Sequence, residues 1–205
     1  MKTMTSADQF TQASRAFIDV VAQIRPGQWD QPGLGVWDVR SLVGHTTRAI
    51  ITVANYLTLD EPDHATIPRA ELYYTAVYAE YTDQQAVTQR GVDAGIALGD
   101  DPIAFITAAD IRARALIEAN PGGRLVSIGR LAIPLDEYLR TRVFELVAHT
   151  LDVARATGAA AAIPEAPLTS AVALAAGIAA STGHGEQLLL ALTGRQPLPE
   201  GFSVV

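Results

Sequence analysis

The chain has 205 residues, 49% hydrophobic and 18% charged, which suits one globular domain able to bury a sizeable core. Its net charge of -7 and pI near 5.0 argue against a nucleic-acid partner, since phosphate recognition needs clustered Lys and Arg. The absence of cysteine excludes disulfides, thiolate metal sites and a thiol nucleophile supplied by the protein.

The opening segment MKTMTSADQF lacks the basic-then-apolar layout of a signal peptide, and no run of 18 apolar residues follows that would span a membrane. The expected setting is the cytoplasm. Residues 6–25 carry Phe10, Ala13, Phe17, Val20, Val21 and Ile24 at helical spacing, with Ser6 as the expected N-cap. RPGQWDQPGLGV then breaks the helix with two prolines and three glycines. Asp38 stands where an N-cap belongs, and Leu42, Val43, Thr46, Ala49, Ile50, Val53 and Leu57 form the inner stripe of a second helix.

After a loop, residues 71–98 read as mostly helical, with RGVDAG expected to interrupt or weaken the pattern. The next helix is clearly signalled: Asp101 caps it, Pro102 occupies its first position and NPGG stops it. RLVSIGRLAIP predicts a short hairpin or extended link. A long helix follows over residues 135–157, with Gly158 at the stop position. LTSAVALAAGIAAS and EQLLLALTG add helical pieces before an extended RQPLPEGFSVV tail. Helices joined by loops, with little strand, predict an all-α bundle of four main helices with small C-terminal additions.

FELVAHTLDVARATG, residues 144–158, raises the functional question. Glu145 and His149 lie four apart and so share one helix face, with Asp152 close by. The rest of that helix is apolar nearly all round, and a carboxylate inside a bundle needs a partner. Two partners are open: Arg142, three residues earlier, or a metal ion. His45, on the flank of the second helix's apolar stripe, reads alone as a packed core residue. It also lies where a neighbouring helix can bring it opposite Glu145 and His149. Two imidazoles and one carboxylate are a common three-ligand set for a divalent ion with open positions. Asp152 fits either a hydrogen-bond acceptor behind a ligating histidine or a surface pair with Arg155. His64 and His184 read as loop residues. Trp29 and Trp37 read first as packing at the bundle's end, Trp37 also as a substrate contact. Arg195 reads as exposed or as the holder of an anionic ligand.

WDVRSLVGH resembles the Trp-x-x-x-x-Leu-x-x-His segment that opens the second helix of the mycothiol-dependent maleylpyruvate isomerase family, within the DinB-like metal-binding superfamily. RVFELVAHTLDVARATG is similar to that family's later motif, a glutamate and histidine four apart before Asp-x-Ala-x-Ala-x-Gly, and LLLALTGRQPLPEGF to its tail. The resemblance implies a DinB-like up-down four-helix bundle over residues 1–160, with residues 161–205 as a helical extension packed on it. It implies His45, Glu145 and His149 as ligands of a divalent ion; the residues themselves add the expectation of Arg142 and Asp152 behind them and of Trp37 and Arg195 as contacts for substrate or thiol. The metal is usually zinc; the donor set also suits nickel, cobalt, manganese or iron. The implied cosubstrate is mycothiol, a low-molecular-weight thiol of actinobacteria. The family's named activity is cis–trans isomerisation of maleylpyruvate to fumarylpyruvate, and relatives transfer the thiol to electrophiles. The chain is shorter than the two-domain isomerase, so a second domain is expected to be absent or reduced. The expected partners are a small electrophile and the thiol, without nucleic acid or membrane, and a homodimer is the default assembly. The competing readings are a non-catalytic metal-binding or small-molecule-sensing bundle, and a metal-free bundle in which Arg142 neutralises Glu145.

Overall fold

The computed structural model describes residues 4–80, 83–120 and 122–205. Residues 81 and 82, inside the stretch predicted as helical, and Pro121, inside the predicted NPGG stop, lie outside them.

Helix α1 spans Ser6–Val21. Its cap is Thr5 rather than Ser6, because Asp8 sits three residues after Thr5 and completes a reciprocal capping box. The Asp8 N–H donates to Thr5 Oγ1 at 3.1 Å and the Thr5 N–H to Asp8 Oδ2 at 3.0 Å. A 3-10 turn at Pro26–Gln28 follows, then a small antiparallel hairpin, β1 (Pro32–Leu34) and β2 (Trp37–Asp38). Gly35, at φ 58, makes the reversal between the strands. This hairpin ends on Asp38, whose carboxylate accepts from the Ser41 N–H at 2.7 Å and caps α2 (Val39–Leu57) as expected.

A 3-10 turn at Ala70–Leu72 leads into α3 (Tyr73–Glu80), and Asp83 caps α4 (Gln84–Ala97). Helix α5 (Pro102–Ala119) starts on the Asp101 cap, with Ala104 N–H donating to Asp101 Oδ1 at 3.0 Å. β3 (Leu125–Ile128) and β4 (Leu131–Pro134) form the expected hairpin in register, Leu125 opposite Pro134. Helix α6 (Leu135–Thr157) ends at Gly158, which adopts φ 71 and closes the last turn through its N–H to Ala154 O. α7 (Glu165–Ser181) and α8 (Gly185–Leu192) complete the order.

The four main helices close a ring: α1 packs on α6, α6 on α2, α2 on α5 and α5 on α1. This is an all-α four-helix bundle of the DinB-like kind. Phe10, Phe17, Leu42, Ile50, Ile106, Leu139 and Leu146 fill its centre. One buried carboxylate, Asp110, ties α5 to α1 by accepting from Ser14 Oγ at 2.7 Å, while Arg114 Nε donates to its other oxygen at 2.8 Å. α7 lies on α6 and α1, and α8 lies on α7.

The glycines of RGVDAG do not interrupt α4. They let it approach α2 so closely that a Cβ on Gly44 would meet the backbone of Ala94 and Gly95. A Cβ on Gly95 would in turn meet Ser41 Cα at 2.9 Å, and one on Gly91 would meet the Trp37 ring at 2.5 Å. The local helix penalty of glycine is therefore offset by a backbone-to-backbone contact that any side chain would forbid. Gly44→Ala is expected to destabilise the fold by about 1–3 kcal/mol. Gly122→Ala, where no described residue lies within 4 Å of an added Cβ, should stay within about 0.5 kcal/mol of the parent in a denaturant titration of both variants.

Candidate metal centre

Two helices of the ring supply the site. α2 carries His45; α6 carries Glu145 and His149 one turn apart. Because α2 and α6 pack directly on each other, the side chains converge, and one ligand atom from each lies within 4.8 Å of the others. The His45 and His149 rings meet edge to face with centroids 5.1 Å apart. The site is sheltered but reachable: the Glu145 and His149 side chains are 19% and 17% exposed.

Each residue is held from behind. His149 lies between two carboxylates, with Nε2 3.2 Å from Glu145 Oε2 and Nδ1 3.1 Å from Asp152 Oδ2. Asp152 thus takes the role behind the histidine rather than pairing with Arg155. Glu145 Oε1 accepts from the Tyr74 hydroxyl at 2.7 Å. His45 stacks on Trp37 with ring centroids 4.4 Å apart, and Trp37 is fixed in turn by its indole N–H to Thr88 O at 3.0 Å.

Arg142 does not close on Glu145 as an ion pair. Its guanidinium lies over the rings of Tyr138, at 4.8 Å, and Tyr73, at 5.1 Å, and its Nε donates to Thr141 Oγ1 at 3.1 Å. It supports the Glu145 charge from further away. Arg195 is not brought to the site: its N–H bonds Leu190 O at 2.8 Å in the C-terminal cap of α8, and its side chain is exposed. His64 lies in an exposed loop, and the exposed His184 packs edge-on against Phe202.

The charge states follow from these contacts. Burial alone would lower the His149 imidazole, but hydrogen bonds to Asp152 and Glu145 outweigh it and raise the pKa to about 9. Burial, reinforced by the neighbouring His149 charge, lowers His45 to about 4. Burial would raise Glu145, but the His149 hydrogen bond and the Arg142 charge hold it at about 2. At neutral pH the metal-free cluster is a carboxylate, an imidazolium and a neutral imidazole.

This arrangement fits a divalent cation. His45 Nδ1 is buried without a hydrogen-bond partner among the described residues. The proton between Glu145 and His149 stands where positive charge is wanted, and a metal ion would bind in exchange for it. Asp152, on the far ring nitrogen of His149, is the usual acceptor behind a ligating imidazole. Beside the three side chains opens a cavity of about 570 Å³, walled by Trp37, Arg48, Tyr74, Tyr78 and Arg90 among others. The sequence offers no local signal for Tyr74 or Tyr78, which reach the cavity only because α3 folds back over α6. Arg48 is legible afterwards as the residue one turn beyond His45.

The raised His149 pKa contributes stability that is fully present below pH 6.5 and is lost as pH rises through about 9. In chelator, Asp152→Asn should therefore lower Tm at pH 6, and its deficit relative to the parent should shrink by pH 9.5. A deficit independent of pH would contradict the His149–Asp152 assignment.

Residues 10–154 match the family described as the mycothiol maleylpyruvate isomerase N-terminal domain. No curated protein and no solved structure matches the chain. The family match covers well over half the sequence, contains all three converging residues and agrees with the helical ring. The chain belongs to the mycothiol maleylpyruvate isomerase N-terminal domain family.

Proposed function

We propose that the protein is a divalent-metal-dependent enzyme that uses mycothiol, adding its sulfur to an electrophilic small molecule, as an isomerase or an S-transferase. The observation that carries this reading is the convergence of His45, Glu145 and His149, from two helices, on the wall of a cavity large enough for a thiol and a second small molecule. Family membership supports the thiol. The chain has no cysteine, so any sulfur nucleophile comes from outside it.

A divalent ion held there, with zinc the first candidate, would supply an open coordination position that keeps a thiol as thiolate at neutral pH. The protein's own groups do the rest. His45 is kept neutral and ready to ligate by burial and by the Trp37 ring on its face. Tyr74 fixes one Glu145 oxygen and leaves the other facing His149. Asp152 holds the His149 proton on Nδ1 and directs Nε2 to the site. The tyrosine-rich wall formed by Tyr56, Tyr74 and Tyr78 limits water around the sulfur. Addition of the thiolate sulfur to an activated double bond moves its π electron pair onto the activating group and leaves a single bond free to rotate. Return of that pair with departure of the thiolate completes isomerisation, and protonation of the adjacent carbon by water with the sulfur retained gives S-transfer.

The untagged protein is expected to bind about one divalent ion per chain by elemental analysis. His45→Ala and His149→Ala should lose it while keeping the helical circular-dichroism signal. Metal-loaded protein should either consume mycothiol with an electrophile that retains the sulfur or, with maleylpyruvate in the test panel, isomerise the substrate only when mycothiol is present and without consuming it. Metal binding without turnover across a broad panel would favour a sensing or binding bundle; an unchanged metal content in both variants would overturn the ligand set.

A further inference from the structure

The cavity beside the three converging side chains has a sign of charge opposite to that of the molecule. The chain as a whole carries -7. Yet besides the histidines the charged groups of the residues lining the cavity are three guanidinium groups, Arg48, Arg90 and Arg142, against the Glu145 side chain and the terminal carboxylate of Val205. Arg142 is already engaged by Tyr73, Tyr138 and Thr141. The guanidinium groups of Arg48 and Arg90 have neither a hydrogen bond nor an ion pair with any described residue. In a protein with 22 acidic residues, two arginines on one cavity wall that form no ion pair leave their guanidinium donors open to an anionic ligand.

Their placement is fixed by the framework. Arg48 stands one turn beyond His45 on α2, close enough to contribute to lowering its pKa. Arg90 precedes Gly91, the residue whose missing side chain makes room for the Trp37 ring, and that ring stacks on His45. Both arginines also line the outer seam between α2 and α4, which places them together at the junction of the two helices. The acid at that seam, Asp93, accepts from Gln89 Nε2 at 2.8 Å and forms no ion pair with either arginine.

We propose that Arg48 and Arg90 form a carboxylate-binding subsite, so that the electrophile taken by this cavity is an anion anchored at the α2–α4 junction with its reacting carbon turned toward His45, Glu145 and His149. The inference rests on the proposed function for the chemistry at the three side chains; the anion site itself stands on the two arginines. Guanidinium forks match a planar carboxylate, and a cavity walled by tyrosine rings strengthens the attraction. The same electrophile with its carboxylates masked as amides should be a poor ligand.

Calorimetric titration of the zinc-loaded full chain with maleate, and with its neutral diamide, tests this. Maleate should bind, and Arg48→Gln and Arg90→Gln should each weaken it by about tenfold or more, with Arg48→Lys between parent and glutamine variant. The diamide should bind weakly and alike to all of them. Unchanged maleate affinity in both glutamine variants, no preference for maleate over the diamide, or no maleate binding by the parent would overturn the subsite. The same titration on metal-free chain separates the two proposals. Maleate binding there that still depends on both arginines supports the subsite even if zinc loading fails and the metal reading falls.

Discussion

A carboxylate folded between helices has to be met by positive charge, and Glu145 imposes that demand on everything around it. Its side chain is only 19% exposed, and among the described residues the one cation in direct contact with it is the His149 imidazolium. Arg142, the alternative, is drawn off onto two tyrosine rings. With Asp152 on the other side of His149, the metal-free cluster has two carboxylates, one imidazolium and one guanidinium, and is neutral. Replacing the imidazolium proton by a divalent ion would leave one positive charge over, which an incoming thiolate would cancel. On the proposed function, the electrostatics of the empty bundle would thus favour a sulfur anion beside a bound metal.

Rigidity comes from the helical ring rather than from the site itself. His45 and the Glu145/His149 pair stand on neighbouring helices locked by the core, so their separation is set by α2 packing on α6. On its other side α2 is clamped by α4 through Gly44 and Gly95, and Gly91 seats the indole that lies on His45. The same seam presents Arg48 and Arg90. The glycine contact, the stacked tryptophan and the cationic corner are therefore one construction, and a change at Gly44 propagates to all three.

Much of this was legible in the residues because the signals are local. Asp38, Asp101 with Pro102, and Gly158 mark helix ends by hydrogen bonds that reach only a few residues, and each is found where its pattern puts it. Glu145 and His149 could be paired because helical geometry puts residues four apart on one face. His45 could be matched to them through a family resemblance, since its spacing alone does not separate a ligand from a core histidine. The illegible parts depend on distant contacts. The β1–β2 hairpin has strands of three and two residues, too short to show an alternation. The glycines of α4 look like breakers until α2 is placed against them. Tyr74 and its bond to Glu145 follow from the path of the loop before α3, which no periodicity encodes. Arg195, credible as an anion holder by composition, is kept away by the cap of α8.

The central claim is that these three side chains bind one cation and leave a position free for sulfur. Zinc K-edge X-ray absorption on zinc-loaded protein, before and after addition of mycothiol, measures that claim directly. Before addition, the first shell should hold nitrogen and oxygen donors at about 2.0–2.2 Å, with the outer-shell scattering of two imidazoles. After addition, one sulfur should enter at about 2.3 Å. A first shell that gains no sulfur, or zinc bound without imidazole scattering, would contradict the account.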